Sequence, residues 1–114
     1  MPNMTGQRSS ERPPAYRVDP SRTDLALEFK RHPYGQHSDE LQRVLNLFRS
    51  DPLPGNYCVV CTRPHREWAL ARFRQTSREP VDLLGPVFGS LAEAEWAVFK
   101  LRWRKHTGQA LEIE

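Results

Sequence analysis

A chain of 114 residues is long enough for one domain only, and ten prolines with a mean hydropathy of −0.72 indicate that part of it stays outside a folded core. No stretch approaches the run of about 18 apolar residues that a membrane-spanning helix needs, and none resembles a signal-peptide core, so we expect a cytoplasmic protein. Seventeen basic and 14 acidic residues give a net charge of +3, which permits a nucleic-acid partner without requiring one.

The beginning of the chain predicts a disordered arm. Four prolines and many polar residues leave it too little apolar surface to offset the entropy of ordering. The end of the chain, beyond the last predicted helix, is short and predicts a frayed tail. We therefore divide the chain into an arm over residues 1–21, one small domain over residues 22–107 and a tail over residues 108–114.

Two helical patterns open the domain. Asp24–Lys30 is rich in apolar residues and predicts a short helix or an adhering extended segment. After a Pro-Gly turn, Ser38 is a good N-cap for a second helix, because its side chain can accept a hydrogen bond from a free backbone N–H. Apolar residues at helical spacing follow it, and a Pro-Gly segment ends it; they are Leu41, Val44, Leu45 and Phe48.

Three strands are predicted next. Tyr57–Thr62 is rich in β-branched and aromatic residues, and Trp68–Arg74 follows after a turn, so the two form a hairpin. A third strand over Leu83–Phe88 contains Pro86, which favours an edge position because proline cannot donate a ladder hydrogen bond. The order of elements predicts an α+β fold (α-β-β-β-α), with a small three-stranded antiparallel sheet packed on helices.

The last predicted helix, from Ser90 to about Lys105, has two apolar sides. Ser90 and Glu93 form a capping box, which is a specific start signal. One stripe holds Leu91, Ala94, Ala97, Val98 and Leu101, and the opposite stripe holds Trp96, Phe99 and Trp103. A helix in a small domain normally buries one stripe. The aromatic stripe therefore needs a cover, which is either the arm and first helix of this chain or a partner protein.

The candidates for chemistry are few. Cys58 and Cys61 form a C-x-x-C pair, but a zinc site needs two further ligands, and strand geometry places the pair on opposite sides. We interpret them as two small core residues. His32 and His37 have no carboxylate at a spacing that would indicate a metal site or an acid–base pair. We interpret His37 as a residue that supports the entry of a helix. No motif in the sequence indicates a self-sufficient active site or a metal site.

The second strand carries a Trp/Arg face. The side that faces away from the helix holds Trp68, Leu70, Arg72 and Arg74, and Ala69, Ala71 and Phe73 lie on the other side, where small residues suit close packing against a helix. This face could lie on nucleic acid, with the arginines binding guanine edges or phosphates. The alternative is that the tryptophan is half-buried and the arginines are solvated or paired with the carboxylates of a partner.

One helix pattern is distinctive: Leu41-Gln42-Arg43-Val44-x-Asn46-x-Phe48-Arg49. Further residues accompany it between positions 33 and 103, namely Pro33-Tyr34-Gly35, His37, Pro54, Gly55, Tyr57, Arg66-Glu67-Trp68, Phe88, Glu93-Ala94, Ala97-Val98-Phe99 and Arg102. Together these residues resemble the small (alpha) subunit of N,N-dimethylformamidase.

The resemblance implies a non-catalytic subunit. In that family a large subunit carries the catalytic iron and hydrolyses a formamide to formate and an amine, in an assembly with two copies of each subunit. It implies no catalytic residue, metal ligand or cofactor in this chain. We expect the large subunit to contact Trp96, Phe99 and Trp103, with secondary contacts along the helix that Ser38 caps, at Gln42, Arg43, Asn46 and Arg49.

A second resemblance covers only residues 56–101. Three short strands followed by Phe88-Gly89-Ser90-x-x-Glu93-Ala94 are similar to the sheet-plus-helix DNA-binding domains of plant ethylene-response factors and phage integrase arms. In those domains the sheet face opposite the helix enters the major groove. The resemblance implies that Trp68, Arg72 and Arg74 would read DNA.

Overall fold

The part of the chain that the computed structural model describes, residues 16–52, 54–76 and 78–113, holds three helices and one sheet. Residues 1–15 of the predicted arm lie outside it. None of the helices in this described part has the length and hydropathy that crossing a membrane requires. The elements are α1 (Thr23–Arg31), α2 (Asp39–Arg49), β1 (Tyr57–Arg63), β2 (Glu67–Arg72), β3 (Asp82–Phe88) and α3 (Leu91–Thr107). The predicted α+β fold is thus confirmed, with α1 as a helix rather than an extended segment.

Charged and hydroxyl side chains join the beginnings of α1 and α2. The Arg22 guanidinium, just before α1, donates to Asp24 in its first turn (3.0 Å) and also to Glu40 on α2. Glu28 accepts from the backbone N–H (2.7 Å) and the hydroxyl (2.6 Å) of Ser38, the predicted N-cap of α2. The Ser38 hydroxyl in turn accepts from Leu41 N–H at 3.3 Å. Helix capping and helix pairing are therefore built from the same residues.

The sheet is antiparallel in the order β1-β2-β3, so the predicted hairpin and the edge position of the third strand are confirmed. Val59 lies opposite Leu70, and Trp68 lies between Cys61 and Phe88. The register of β3 shifts opposite Leu70, where residues 84–86 form a bulge. Gly85 adopts a φ of +110° there, which a residue with a side chain rarely adopts.

Helix α3 begins and ends on the predicted signals. The Ser90 hydroxyl accepts from Glu93 N–H at 3.2 Å, as a capping box requires. The helix extends two residues beyond the predicted end, to Thr107. There Gly108, with a φ of +76°, donates its N–H to the carbonyl oxygen of Arg104 at 2.8 Å.

Helix α3 is buried on two opposite sides. Its small-residue stripe, with Ala94 and Val98 buried, packs against the sheet, where Ala69 and Ala71 allow close approach. Its aromatic stripe packs against α1 and α2. Phe99 is central there, with its ring centroid 4.5 Å from that of Phe29 on α1 and 5.4 Å from that of Phe48 on α2. The molecule therefore has three layers, in the order sheet, α3, and the α1–α2 pair.

The choice left open for the aromatic stripe is thereby answered within this chain. Trp96, Phe99 and Trp103 are 8%, 2% and 1% exposed, because α1 and α2 cover them. The expectation that these three side chains contact a partner is corrected: they form the core.

The two ends of the described chain add to this cover. Val18, inside the predicted arm, is buried in the same cluster, and Leu111 and Ile113 pack against it. Residues 110–113 contain no helix or strand, yet they are held by these contacts.

One carboxylate anchors the end of α3 to the segment after α2. Asp51 accepts hydrogen bonds from His106 (3.0 Å) and Lys105 (3.3 Å), and its side chain is only 11% exposed. Burial raises the pKa of Asp51, but the bonds from His106 and Lys105 outweigh that effect and hold its pKa below the usual 3.8. The His106 ring also lies 5.1 Å from that of Phe48, so the ion pair borders the core.

We expect Phe99→Ala to lower the free energy of unfolding by about 3–5 kcal/mol, because it empties the centre of the aromatic cluster. Leu83→Ala is the matched control: Leu83 is 61% exposed, so the loss should stay within about 0.5 kcal/mol. The free energies of unfolding of both variants are measured by urea unfolding, followed by tryptophan fluorescence, to which the buried Trp96 and Trp103 contribute. Equal midpoints for the two variants would contradict the central position of Phe99; Phe99→Leu serves if the alanine variant does not fold.

We expect Asp51→Asn to cost about 1–3 kcal/mol of unfolding free energy at neutral pH. The pKa of Asp51 is lowered by folding, so its contribution is fully present above the unfolded pKa, about 3.9, and is lost as the pH falls through the folded value. The difference between wild type and variant should therefore shrink below about pH 4. The exposed pair of Asp82 with Arg74 provides the control, because Asp82→Asn should cost about 1 kcal/mol or less.

Candidate binding surfaces

The two cysteines lie on opposite sides of β1, as strand geometry predicts. Cys58 is half-buried on the side of α3, where burial raises the pKa of its thiol and the charge of Arg102 opposes that shift. Cys61 is exposed, so its interpretation as a core residue is wrong. Within residues 16–52, 54–76 and 78–113, no group of three His, Cys, Asp or Glu side chains is placed to hold a metal ion.

The two histidines before α2 have structural partners. Nε2 of His37 donates to the carbonyl oxygen of His32 at 2.8 Å, and the His37 ring stacks near Phe29, with the centroids 6.1 Å apart. These contacts, with Glu28 on Ser38, hold the loop that leads into α2. The expectation that His37 supports the entry of the helix is confirmed.

The polar side of α2 carries the four secondary candidates for partner binding. Arg43, Asn46 and Arg49 are exposed, and Gln42 is half-buried with its side-chain amide donating to Asn46 at 2.9 Å. Arg43 and Asn46 line a shallow surface hollow together with Tyr16 and Leu47. These four residues share one side of the helix, and their role in partner binding stays a prediction.

The three candidates for nucleic-acid binding are largely engaged within the chain. Arg74 forms an ion pair with Asp82, with an N···O distance of 2.7 Å. The Arg72 guanidinium lies 4.9 Å from the centre of the Tyr57 ring and donates to its hydroxyl at 2.9 Å. Trp68 is half-buried. The half-burial of Trp68 agrees with the alternative, while the carboxylate paired with Arg74 belongs to this chain and not to a partner.

The structure extends the Trp/Arg face of β2 to a surface that spans all three strands. In the described residues the helices all lie on the Ala69–Ala71 side of the sheet, since α3 contacts the sheet and α1 and α2 cover α3. The side chains that alternate onto the other side form the outer sheet face: Tyr57, Val59, Cys61, Trp68, Leu70, Arg72 and Phe88.

The outer sheet face is mostly apolar. Leu70 lies in its middle and is buried, while Tyr57, Val59, Trp68 and Phe88 are half-buried. A signal for it was present in β1, where five consecutive apolar or aromatic residues run from Tyr57 to Cys61. Strands of an antiparallel sheet with one solvated face usually alternate apolar and polar residues, so this run predicts cover on both faces.

Comparison with known proteins agrees with the pattern in α2. The family described as N,N-dimethylformamidase alpha subunit matches residues 9–112, which include every element of the fold. The N,N-dimethylformamidase alpha subunit of Paracoccus aminophilus is 34% identical over 85 residues, which are 72% of this chain and 60% of the relative. The chain thus spans about three fifths of the length of the curated relative it matches. Its match over residues 9–112 shows that the chain belongs to the N,N-dimethylformamidase alpha subunit family.

Proposed function

We propose that this chain is the non-catalytic subunit of an amide hydrolase of the N,N-dimethylformamidase type, and that it works by binding a larger catalytic subunit. The match to the alpha-subunit family over residues 9–112 carries the proposal. The name of the relative supports it, because an alpha subunit is one component of an enzyme with several subunits. The complex would hydrolyse a formamide to formate and an amine, with two copies of each subunit, in the cytoplasm.

In this proposal the catalytic iron belongs to the larger subunit. The described residues of this chain do not fit an iron site, since no three potential ligands are grouped. Two carboxylates that lie within hydrogen-bond distance of a histidine or a serine have structural roles. Asp51 binds His106 at the end of α3, and Glu28 binds the N-cap of α2. We therefore assign no metal ligand and no catalytic group to this chain.

The nucleic-acid alternative has less support. Binding to DNA depends on cations that are free to neutralise phosphates, and the Arg74 charge is balanced by Asp82. Arg72 is held against Tyr57. The half-buried Trp68 lies among apolar neighbours, which a phosphate backbone does not cover.

We expect the chain to copurify with the large subunit when the two reading frames from one genome are expressed together and only this chain carries a tag. The purified complex should release formate from N,N-dimethylformamide, while this chain alone should not, because its described residues hold no group of three His, Cys, Asp or Glu side chains placed to bind a metal ion. Light scattering coupled to size-exclusion chromatography gives the number of copies of each subunit.

Two results would contradict the proposal. One is formate release by the purified chain alone, at a rate that does not depend on the large subunit. The other is failure of the two full-length chains to associate when both are folded by circular dichroism. A complex with unequal copy numbers would contradict only the stoichiometry.

A further inference from the structure

We propose that the outer sheet face is the surface with which this chain binds the large catalytic subunit, and that the bound region of that subunit is apolar and flanked by carboxylates. The inference rests on the proposed function, because only that function supplies a large subunit for this face to bind. It deepens that function by naming the surface and the chemistry of its counterpart.

The composition of the face is that of an interface centre. Tyr57, Trp68 and Phe88 are half-buried aromatic side chains that surround Leu70 and Val59. Aromatic residues and arginine are enriched in the centres of protein interfaces, where they contribute most of the binding free energy. At about 3.3 Å per residue and 4.8 Å between strands, the face measures about 20 by 15 Å, which suits the centre of an interface rather than its full area.

Arginines lie at both ends of the face. Arg72 lies at the end where β1 begins, opposite Tyr57. At the other end, the exposed Arg63 is the last residue of β1, where it pairs with Glu67, and the exposed Arg66 belongs to the turn between β1 and β2. The nearby acid Glu67 accepts a hydrogen bond from the Thr62 hydroxyl at 2.6 Å. The ends are therefore basic, and carboxylates around an apolar patch would complement them.

The same charges disfavour a second copy of this chain as the occupant. Two copies related by a two-fold axis would place the same face on itself, with the strands parallel or antiparallel across the contact. Because both ends carry arginine, either arrangement brings arginine close to arginine. The carboxylate of Asp82 at one end is already paired with Arg74. Like charges at an interface weaken association, so a different protein with acidic groups is favoured.

Chemical labelling of the wild-type complex tests the surface without any substitution. Cys61 is exposed on the outer sheet face, and Cys58 lies under α3 on the opposite side of the same strand. In the complex we expect N-ethylmaleimide to modify Cys61 at least about tenfold more slowly than in the free chain, while the slow reaction of Cys58 changes little. Mass spectrometry of the peptide that contains both residues measures the two rates.

A charge placed within the face provides the second test. We expect Val59→Glu to weaken association by about 30-fold or more, because a carboxylate would be buried in an apolar contact. Val87→Glu adds the same charge at an exposed position on the other side of the sheet, opposite Ala69, and should leave association nearly unchanged. Circular dichroism and urea midpoints confirm folding; Cys61→Glu, at an exposed position, replaces Val59→Glu if that variant does not fold.

The basic ends are tested by a double substitution. Arg63→Glu combined with Arg66→Glu should slow association at low salt by about tenfold, and the difference from wild type should narrow at high salt. Arg63→Lys with Arg66→Lys keeps the charges and is the control. A rate that is unchanged by the glutamates would overturn the acidic character assigned to the partner.

Four outcomes would overturn the assignment of the face. They are equal labelling of Cys61 in the free and bound chain; loss of association in Val87→Glu but not in Val59→Glu; salt-dependent binding of duplex DNA by the free chain that the glutamates at Arg63 and Arg66 abolish; and a dimer of the free chain that Val59→Glu dissociates. Failure of wild type to bind the large subunit at all would overturn the proposed function as well, whereas binding with unprotected Cys61 overturns the face alone.

Discussion

The packing of Phe99 between Phe29 and Phe48 is the contact on which the three-layer arrangement depends. Through it α1 and α2, which together contribute only 20 helical residues, hold against a helix whose other side is occupied by the sheet. A domain this small has little core to spare. Because α3 is buried on both sides, this one helix packs against the sheet and against the α1–α2 pair. The aromatic stripe therefore contributes to stability rather than to recognition.

Much of the fold could be predicted because its signals are local. The capping residues Ser38 and Ser90, Gly108 after α3 and Pro86 in an edge strand each act through their own backbone neighbourhood. The cover of the aromatic stripe could not be predicted in the same way. It depends on how far α1 and α2 reach over α3, which is a tertiary relation.

The full extent of the outer sheet face could not be predicted for a related reason. Helical periodicity identified an aromatic stripe on α3, and its enrichment in tryptophan suggested a partner. Alternation along β2 marks only part of the outer sheet face, because the whole face is assembled from β1, β2 and β3 across the sheet. The pairings of Val59 with Leu70 and of Trp68 with Phe88 are what make it continuous. What a partner would need, an uncovered apolar area, therefore became visible only with the register.

The bulge in β3 affects how readily the free chain aggregates. The exposed side chains of Leu83 and Val87 make this edge strand apolar. Straight apolar edge strands pair with strands of other molecules and so promote aggregation. Gly85 lies in the bulge that bends the strand, and Pro86 has no backbone N–H to donate to a neighbouring strand. The β3 edge therefore pairs poorly with a strand of another chain. Pairing with a further strand is therefore disfavoured at β3, which is one of the two edges of the sheet; β1 is the other.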